Sequence, residues 1–358
     1  MLVVNFLSWR FVVLWLVKGS LKIMKILVTG SSGYVGSAFV GHLGRDPDIQ
    51  VIGVDRIPPS APTPLNFQFL KIDLSATKIN WPSIELDGVH AVVHLAAARG
   101  DWNLSSEDYF RDNLTATQNM LSAPWAKNVE QWILMSSVSV YGPSEYPMDE
   151  CSPCFPVGAY GESKLASEKN FLKFVRRHKK NFCIIRPSAI FSAGHPHNTN
   201  VYKLIESLRT APVPLIEAGK NRKSLTYLPN LLQLIEWALN EMDNGRLNSK
   251  IYNYVEEPVL SVAELISTLR DVGIHPAQTL AIPLWLPLVF SWPVFLLGQL
   301  LGIDLRITPE RVRKYASSTC YDSSLVKQDG FQPKASLYEG LQATAKWHIS
   351  NPKPHFFL

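Results

Sequence analysis

Apolar and β-branched runs recur along the first half of the chain, at 26–29, 51–54, 67–72, 91–95, 132–135 and 182–185. Stretches with helical periodicity separate most of them, notably 105–126 and 159–178. Buried strands alternating with amphipathic helices predict an α/β fold, a doubly wound parallel sheet with helices on both faces, over residues 24–186. Beyond Pro187 the alternation breaks down, and prolines cluster at 212, 214, 229, 258, 276, 283, 287 and 293. That pattern predicts a smaller, mixed C-terminal region, 187–358, built onto the carboxyl edge of the sheet and serving mainly to bind substrate.

Two apolar stretches stand apart from the alternation. Between Val272 and Ile303 there is no Asp, Glu, Lys or Arg, and the segment 280–303 carries Trp285 and Trp292. Its prolines 283, 287 and 293 predict pieces too short to span a bilayer as one regular helix. Arg306, Arg311, Arg313 and Lys314 follow at once. Two readings stand level: a buried helical pair in the substrate region or a dimer contact, or peripheral contact with the inner membrane through interfacial tryptophans and basic groups. The other stretch is the apolar run 1–18 within residues 1–23; it is interrupted by Arg10 and falls short of the ~20 residues a spanning helix needs. Met24 directly precedes the first strand, so the expectation is that 1–23 is an N-terminal extension and that Met24 is the native start.

Composition narrows the picture modestly. Charged residues make up 18% of the 358 residues, and the net charge is +5. A mildly basic chain permits contact with phosphate groups but requires no nucleic acid. Its densest basic run, 173–180, falls at a helix end, where cations favour the helix dipole. Four cysteines fit a reducing, cytoplasmic compartment. Cys151 and Cys154 have metal-ligand spacing without a second pair, so no metal is expected.

Candidate chemistry begins where the first strand ends. Gly30, Gly33 and Gly36 follow it at GxxGxxG spacing and open a helix. The first glycine permits a tight turn, the second lets backbone approach a pyrophosphate, and the third allows helix and strand to pack closely. The phosphates then meet the free N–H groups at the positive end of the helix. Asp55 closes the second strand near the offset at which a carboxylate bonds ribose hydroxyls. Such a carboxylate repels a 2′-phosphate and favours NAD, although Arg56 beside it leaves NADP open.

Downstream, Ser137 ends a strand, while Tyr160 and Lys164 are four apart and share one helix face. An ammonium near a phenol favours the phenolate, so Lys164 is expected to bring the Tyr160 pKa down toward working pH. A tyrosinate poised in this way takes a proton from a sugar hydroxyl while hydride leaves the same carbon. Ser137 would bond the same oxygen and steady its charge.

Together these residues resemble the NAD-dependent epimerase/dehydratase group of the extended short-chain dehydrogenases, a Rossmann-type fold, from Met24 to about Trp347. The resemblance implies a cofactor set of Gly30, Ser32, Gly33, Tyr34, Val35, Gly36, Asp55, Arg56, Asp73, Leu74, Leu95, Ala96, Ala97, Asn113, Tyr160, Lys164 and Pro187. It implies Ser137, Tyr160 and Lys164 as catalytic residues, with Arg186-Pro187 at the strand end beside the nicotinamide. For a sugar-diphosphate substrate it implies Arg99, Ser137, Asn200, Lys223, Arg311 and Arg313, the last two by a looser match. Ala189 departs from the asparagine common in sugar-nucleotide epimerases.

The motifs 186–191, 200–202, 223–230 and 252–255 are similar to those of a bacterial subgroup. Its members are 4-epimerases of UDP- or undecaprenyl-diphosphate-linked N-acetylhexosamines in surface-polysaccharide assembly, and homodimers are common in the superfamily. The alternatives are an NAD(P)H-dependent reductase of a UDP-linked 4-keto-6-deoxy amino sugar and a non-catalytic dinucleotide sensor.

Overall fold

The computed structural model describes residues 24–99, 104–144, 146–194, 199–210, 212–274, 279–301, 303 and 308–351; the extension 1–23 and Arg306 lie outside them. Seven parallel strands form one sheet: β1 (Met24–Thr29), β2 (Ile49–Asp55), β3 (Phe67–Lys71), β4 (Ala91–His94), β5 (Gln131–Met135), β6 (Asn181–Pro187) and β7 (Lys250–Tyr254). Their order is β7-β6-β5-β4-β1-β2-β3. The chain winds one way from β1 through β2 and β3 and the other way from β4 onward. A crevice therefore opens outside the carboxyl ends of β1 and β4, where ligands bind in such sheets.

Side chains alternate along each strand and so build two cores. Ile26, Val28, Val93, Ile133 and Ile185 pack against helices α1 (Tyr34–Leu43) and α4 (Leu228–Asp243). Leu27, Val92, Leu134 and Ile184 face α2 (106–121) and α3 (Ala159–Arg177) on the opposite side. The central strands are fully buried on both faces, which explains their unbroken apolar sequence.

The boundary expected near residue 186 needs adjusting, because β7 and α4 both come from beyond it yet belong to the sheet and its covering layer. Proline hid α4 from the pattern, and Asn253 hid β7. Pro229 lies in the first turn of α4, where its missing N–H is no loss. The remaining C-terminal segments form a smaller unit around Phe191, Ile205, Leu265, Leu269 and Leu341.

One further difference concerns the apolar segment, whose prolines were expected to break it into short pieces. It forms one continuous helix, α5 (Trp285–Leu301). Pro287 lies in its first turn, where no donor is needed, and Pro293 sits inside and forfeits a single bond. Only Ser291 and Gly298 of α5 are buried.

Candidate active site

The glycine loop closes over itself at the carboxyl end of β1. Gly30 adopts φ +69°, and its carbonyl accepts from the Gly33 N–H at 3.0 Å. A Cβ on Gly36 would lie 2.0 Å from that same carbonyl oxygen, so only glycine lets α1 approach the turn. Asp55 accepts from the Ser32 N–H at 3.0 Å and the Ile57 N–H at 3.1 Å, which holds its carboxylate beside the loop. The hydroxyls of Ser31 and Ser32 are buried and have no hydrogen-bond partner among the described residues. Buried polar groups are almost always paired. A glycine cradle with two orphaned hydroxyls at a helix N-terminus therefore fits a pyrophosphate.

Several further members of the expected cofactor set take distinct places. Arg56 is drawn to Asp112 at 3.2 Å, a carboxylate that Arg111 also holds at 2.8 Å. Its charge is thus directed at the protein, which with Asp55 weighs against a 2′-phosphate. Asp73 forms a tight turn with Ser75, whose hydroxyl hydrogen bond is the main reason its carboxyl lies below the usual range. Leu74 and Val35 point elsewhere: Leu74 is buried in the α2–α3 core and Val35 packs on the opposite one. The Tyr34 ring lies under the Arg99 guanidinium, 5.8 Å from its centre, and its hydroxyl bonds Ser192 at 2.7 Å. Leu95 and Ala96 are half-buried, Ala97 is exposed and Pro187 is buried at the end of β6.

A chain of hydrogen bonds joins the loop to α3, which carries Tyr160 and Lys164. Thr117 donates its hydroxyl to the Asn113 carbonyl at 2.7 Å, so it accepts from His94 Nε2 at 3.0 Å. His94 Nδ1 then accepts from the Thr29 hydroxyl at 2.6 Å, and Thr29 accepts from the Ala96 N–H at 3.3 Å. Burial, with a smaller contribution from the Lys164 charge, lowers the His94 pKa to about 3 and keeps the ring neutral. Asn113 sits in a π-helical turn, Phe110–Thr115, of the kind often found at functional sites. Its side chain accepts from the Ala98 N–H at 2.7 Å and donates to Ser163 at 2.9 Å; Ser163 donates in turn to the Tyr160 carbonyl at 2.9 Å. Asn113 is therefore a positioning residue, linking the β4 end to α3.

Ser137, Tyr160 and Lys164 come together at the ends of β5 and α3. Burial raises the Tyr160 phenol above its ordinary value; the Ser137 hydrogen bond and then the Arg99 charge pull it back. The Tyr109 ring covers it edge-on at 5.9 Å. Lys164 is buried, and its ammonium donates to the Met135 carbonyl at 2.6 Å. Burial lowers the Lys164 pKa to about 8, against the opposing pull of Glu168. The Lys164 ammonium, expected beside the phenol, is turned here to a strand-end carbonyl, and the groups that pull the phenol down are Ser137 and Arg99. Gly161 went unnoticed in the sequence. A Cβ there would lie 2.6 Å from the Ser139 carbonyl oxygen, so this glycine lets α3 press against the turn that carries Ser137.

The substrate candidates are less uniform. Arg99 is half-buried between Tyr34 and Tyr160. Asn200 is exposed and opens the helix Asn200–Thr210. Lys223 donates to the carbonyls of Ser317 at 2.6 Å and Lys314 at 3.4 Å, closing the C-terminus of the helix Pro309–Ala316. Burial lowers its pKa to about 8. Arg311 is half-buried and Arg313 exposed on that same helix. The Arg186 side chain is not free to face a nicotinamide. It pairs bidentately with buried Glu168 at 2.9 and 2.6 Å and donates to the Tyr141 hydroxyl at 2.7 Å. Tyr141 continues to Asn253 in β7 at 2.8 Å. Sequence reasoning missed this cross-brace, although Glu168 lies one helical turn beyond Lys164.

Known proteins agree with this geometry. The profile of the NAD dependent epimerase/dehydratase family matches residues 26–254. The chain belongs to that family. It is 28% identical, over 75% of its length and 80% of the relative's, to the Escherichia coli O157:H7 N-acetyl-alpha-D-glucosaminyl-diphospho-ditrans,octacis-undecaprenol 4-epimerase. It is 26% identical to the Vibrio cholerae UDP-glucose 4-epimerase, over 90% of this chain and 94% of that one. Among solved structures, UDP-glucuronic acid 4-epimerase from Bacillus cereus in complex with NAD superposes with a TM-score of 0.71 at 23% identity, covering 91% and 99% of the two chains.

NAD is the family's cofactor, and Gly30, Gly36, Ser31, Ser32 and Asp55 are the residues here that would hold it. When bound, it supplies the hydride acceptor and donor that sugar oxidation and reduction require. At that position Tyr160 would, as the phenolate, take the hydroxyl proton and, as the phenol, return it, and the Ser137 hydroxyl would steady the charge on that oxygen. Lys164 holds positive charge at the foot of the helix, and Tyr109 closes one side against water.

Proposed function

We propose that the chain is an NAD-dependent 4-epimerase of a diphosphate-linked N-acetylhexosamine, acting in bacterial surface-polysaccharide assembly on the cytoplasmic side of the membrane. The observation that carries this reading is the hydrogen-bond chain that runs from the glycine loop through His94, Thr117, Asn113 and Ser163 to the Tyr160 backbone and sets the buried phenol near Ser137. Proton acceptor and hydride carrier are thereby fixed on one rigid unit. A 4-epimerase must let its keto sugar turn over between two hydride transfers, so it grips the diphosphate and leaves the sugar room. Arg311 and Arg313, on the rim of the smaller unit, are the candidates for that grip. The pairing of Arg56 with Asp112 removes the main support for an NADPH-dependent reductase.

The test offers purified protein, with no added cofactor, UDP-N-acetylglucosamine and membranes charged with lipid-linked N-acetylglucosamine side by side. Release of N-acetylgalactosamine after hydrolysis of either product supports the proposal, and the richer arm names the carrier. Failure of both arms, or strict dependence on added NADPH, overturns it.

A further inference from the structure

Ten of the nineteen large apolar side chains exposed among the described residues fall between 280 and 303, so the water-facing apolar surface is concentrated in α5 and its flanks. Trp285, Val289, Trp292, Leu296 and Leu300 recur at helical spacing and form one stripe, each at least 50% exposed. Phe290, Leu297 and Leu301 form a second stripe beside it. The opposite side carries Ser291 and Gly298, the buried positions by which the helix rests on the molecule. Contiguous apolar surface of this kind marks an interaction site.

Charge identifies the occupant. α5 carries no ionisable residue, and it packs against the helix Pro309–Ala316, which presents Arg313 and Lys314 to solvent. An apolar face with tryptophans, bordered by cations, matches a leaflet of acyl chains beneath anionic headgroups. At 17 residues α5 spans only ~25 Å, short of the ~30 Å hydrocarbon core. Among the described residues no helix is long and apolar enough to cross a membrane.

We propose that α5 and the basic side of the helix Pro309–Ala316 form a docking surface for an anionic phospholipid membrane, on which the enzyme lies without spanning it. The carbonyl end of the basic helix is bound by Lys223, and the following residues continue to Tyr321, whose ring stacks on Tyr141 at 5.9 Å. The docked face therefore adjoins the rim assigned to the substrate diphosphate. This use of the surface rests on the lipid-linked reading above; its existence does not.

The test is co-sedimentation of the full chain with vesicles of phosphatidylcholine alone or with one third phosphatidylglycerol, without any sugar. Wild type should sediment with the anionic vesicles, and high salt should reduce that binding by about tenfold through screening of the basic arm. The double variant Leu296→Asp, Leu300→Asp should lose at least ~tenfold in vesicle affinity. Its melting temperature and its turnover of a soluble UDP-linked sugar should stay unchanged. Equal binding of variant and wild type, or no binding of wild type, overturns the proposal. So does a change from dimer to monomer in the variant without any vesicle binding by wild type, which would assign the face to a second copy. Failure of the epimerase assay leaves this readout untouched, so the two proposals fail separately.

Discussion

The cofactor crevice and α5 handle burial in opposite ways. At the crevice, Thr29, His94, Thr117, Asn113 and Ser163 pass hydrogen bonds from one to the next until they reach Tyr160, and almost none of them meets water. On α5 the tryptophans and leucines that would ordinarily fill a core stand in solvent, and only two small residues face inward. A buried polar network has value only when every member is satisfied, which fixes geometry for chemistry. An apolar face left open has value only when something else covers it. The members of the first network are paired with one another inside the protein, whereas the second region leaves its apolar stripe bare among the described residues.

Substitutions in the two regions should therefore behave differently. The largest expected effect is Tyr160→Phe, which should lower turnover about a thousandfold through loss of the proton acceptor, while thermal unfolding stays that of wild type. Turnover within tenfold of wild type would show that another group carries the proton. Next comes Arg186→Met, which strands the Glu168 carboxylate in the interior and should lower unfolding free energy by ~3–5 kcal/mol in denaturant titrations. An effect under ~1 kcal/mol would mean that the cross-brace between β6, α3 and β7 is not taut.

His94 gives a smaller, pH-dependent effect. Its folded pKa of about 3 lies below its ordinary value, so the unfolded chain binds a proton that the folded chain does not. Its contribution to stability is present above pH ~6.5 and is lost as pH falls toward about 3, at up to ~1.4 kcal/mol per unit. His94→Gln should flatten the acid limb of stability by about one proton; an unchanged slope would contradict the neutral, buried assignment. The smallest effect belongs to α5. Leu300→Asp should change stability by less than ~0.5 kcal/mol, while Leu269→Asp in the core of the smaller unit should prevent folding. Comparable losses at the two positions would show that α5 is covered within the chain after all.

Much of the crevice was legible in the sequence, because each requirement there is local. A glycine turn, an acidic strand end and a Tyr–Lys pair one helical turn apart need no distant partner to be recognised. The strands β1, β2, β4, β5 and β6 were legible for the same reason, since burial on both faces leaves a largely apolar run, and edge strand β3 was legible by its alternating Phe67-Gln68-Phe69. β7 escaped because Asn253 breaks its apolar run, and that asparagine serves Tyr141, Met148 and Asp322 from far along the chain. The employment of Lys223 at a helix end and of Arg186 in a salt bridge was equally hidden. Nothing near a cation in sequence reveals which carbonyl or carboxylate it will meet. Exposure of α5 was illegible too, since an apolar run reads alike whether it is covered or bare.

The central claim is that one Tyr160-centred site removes and returns the same hydride without an external reductant. Its most direct test supplies a substrate deuterated at C4 to purified protein with no added cofactor, then locates the label in the product by mass spectrometry. The account predicts an inverted C4 that retains deuterium. Loss of the label to solvent, or no product until NADPH is added, would contradict it.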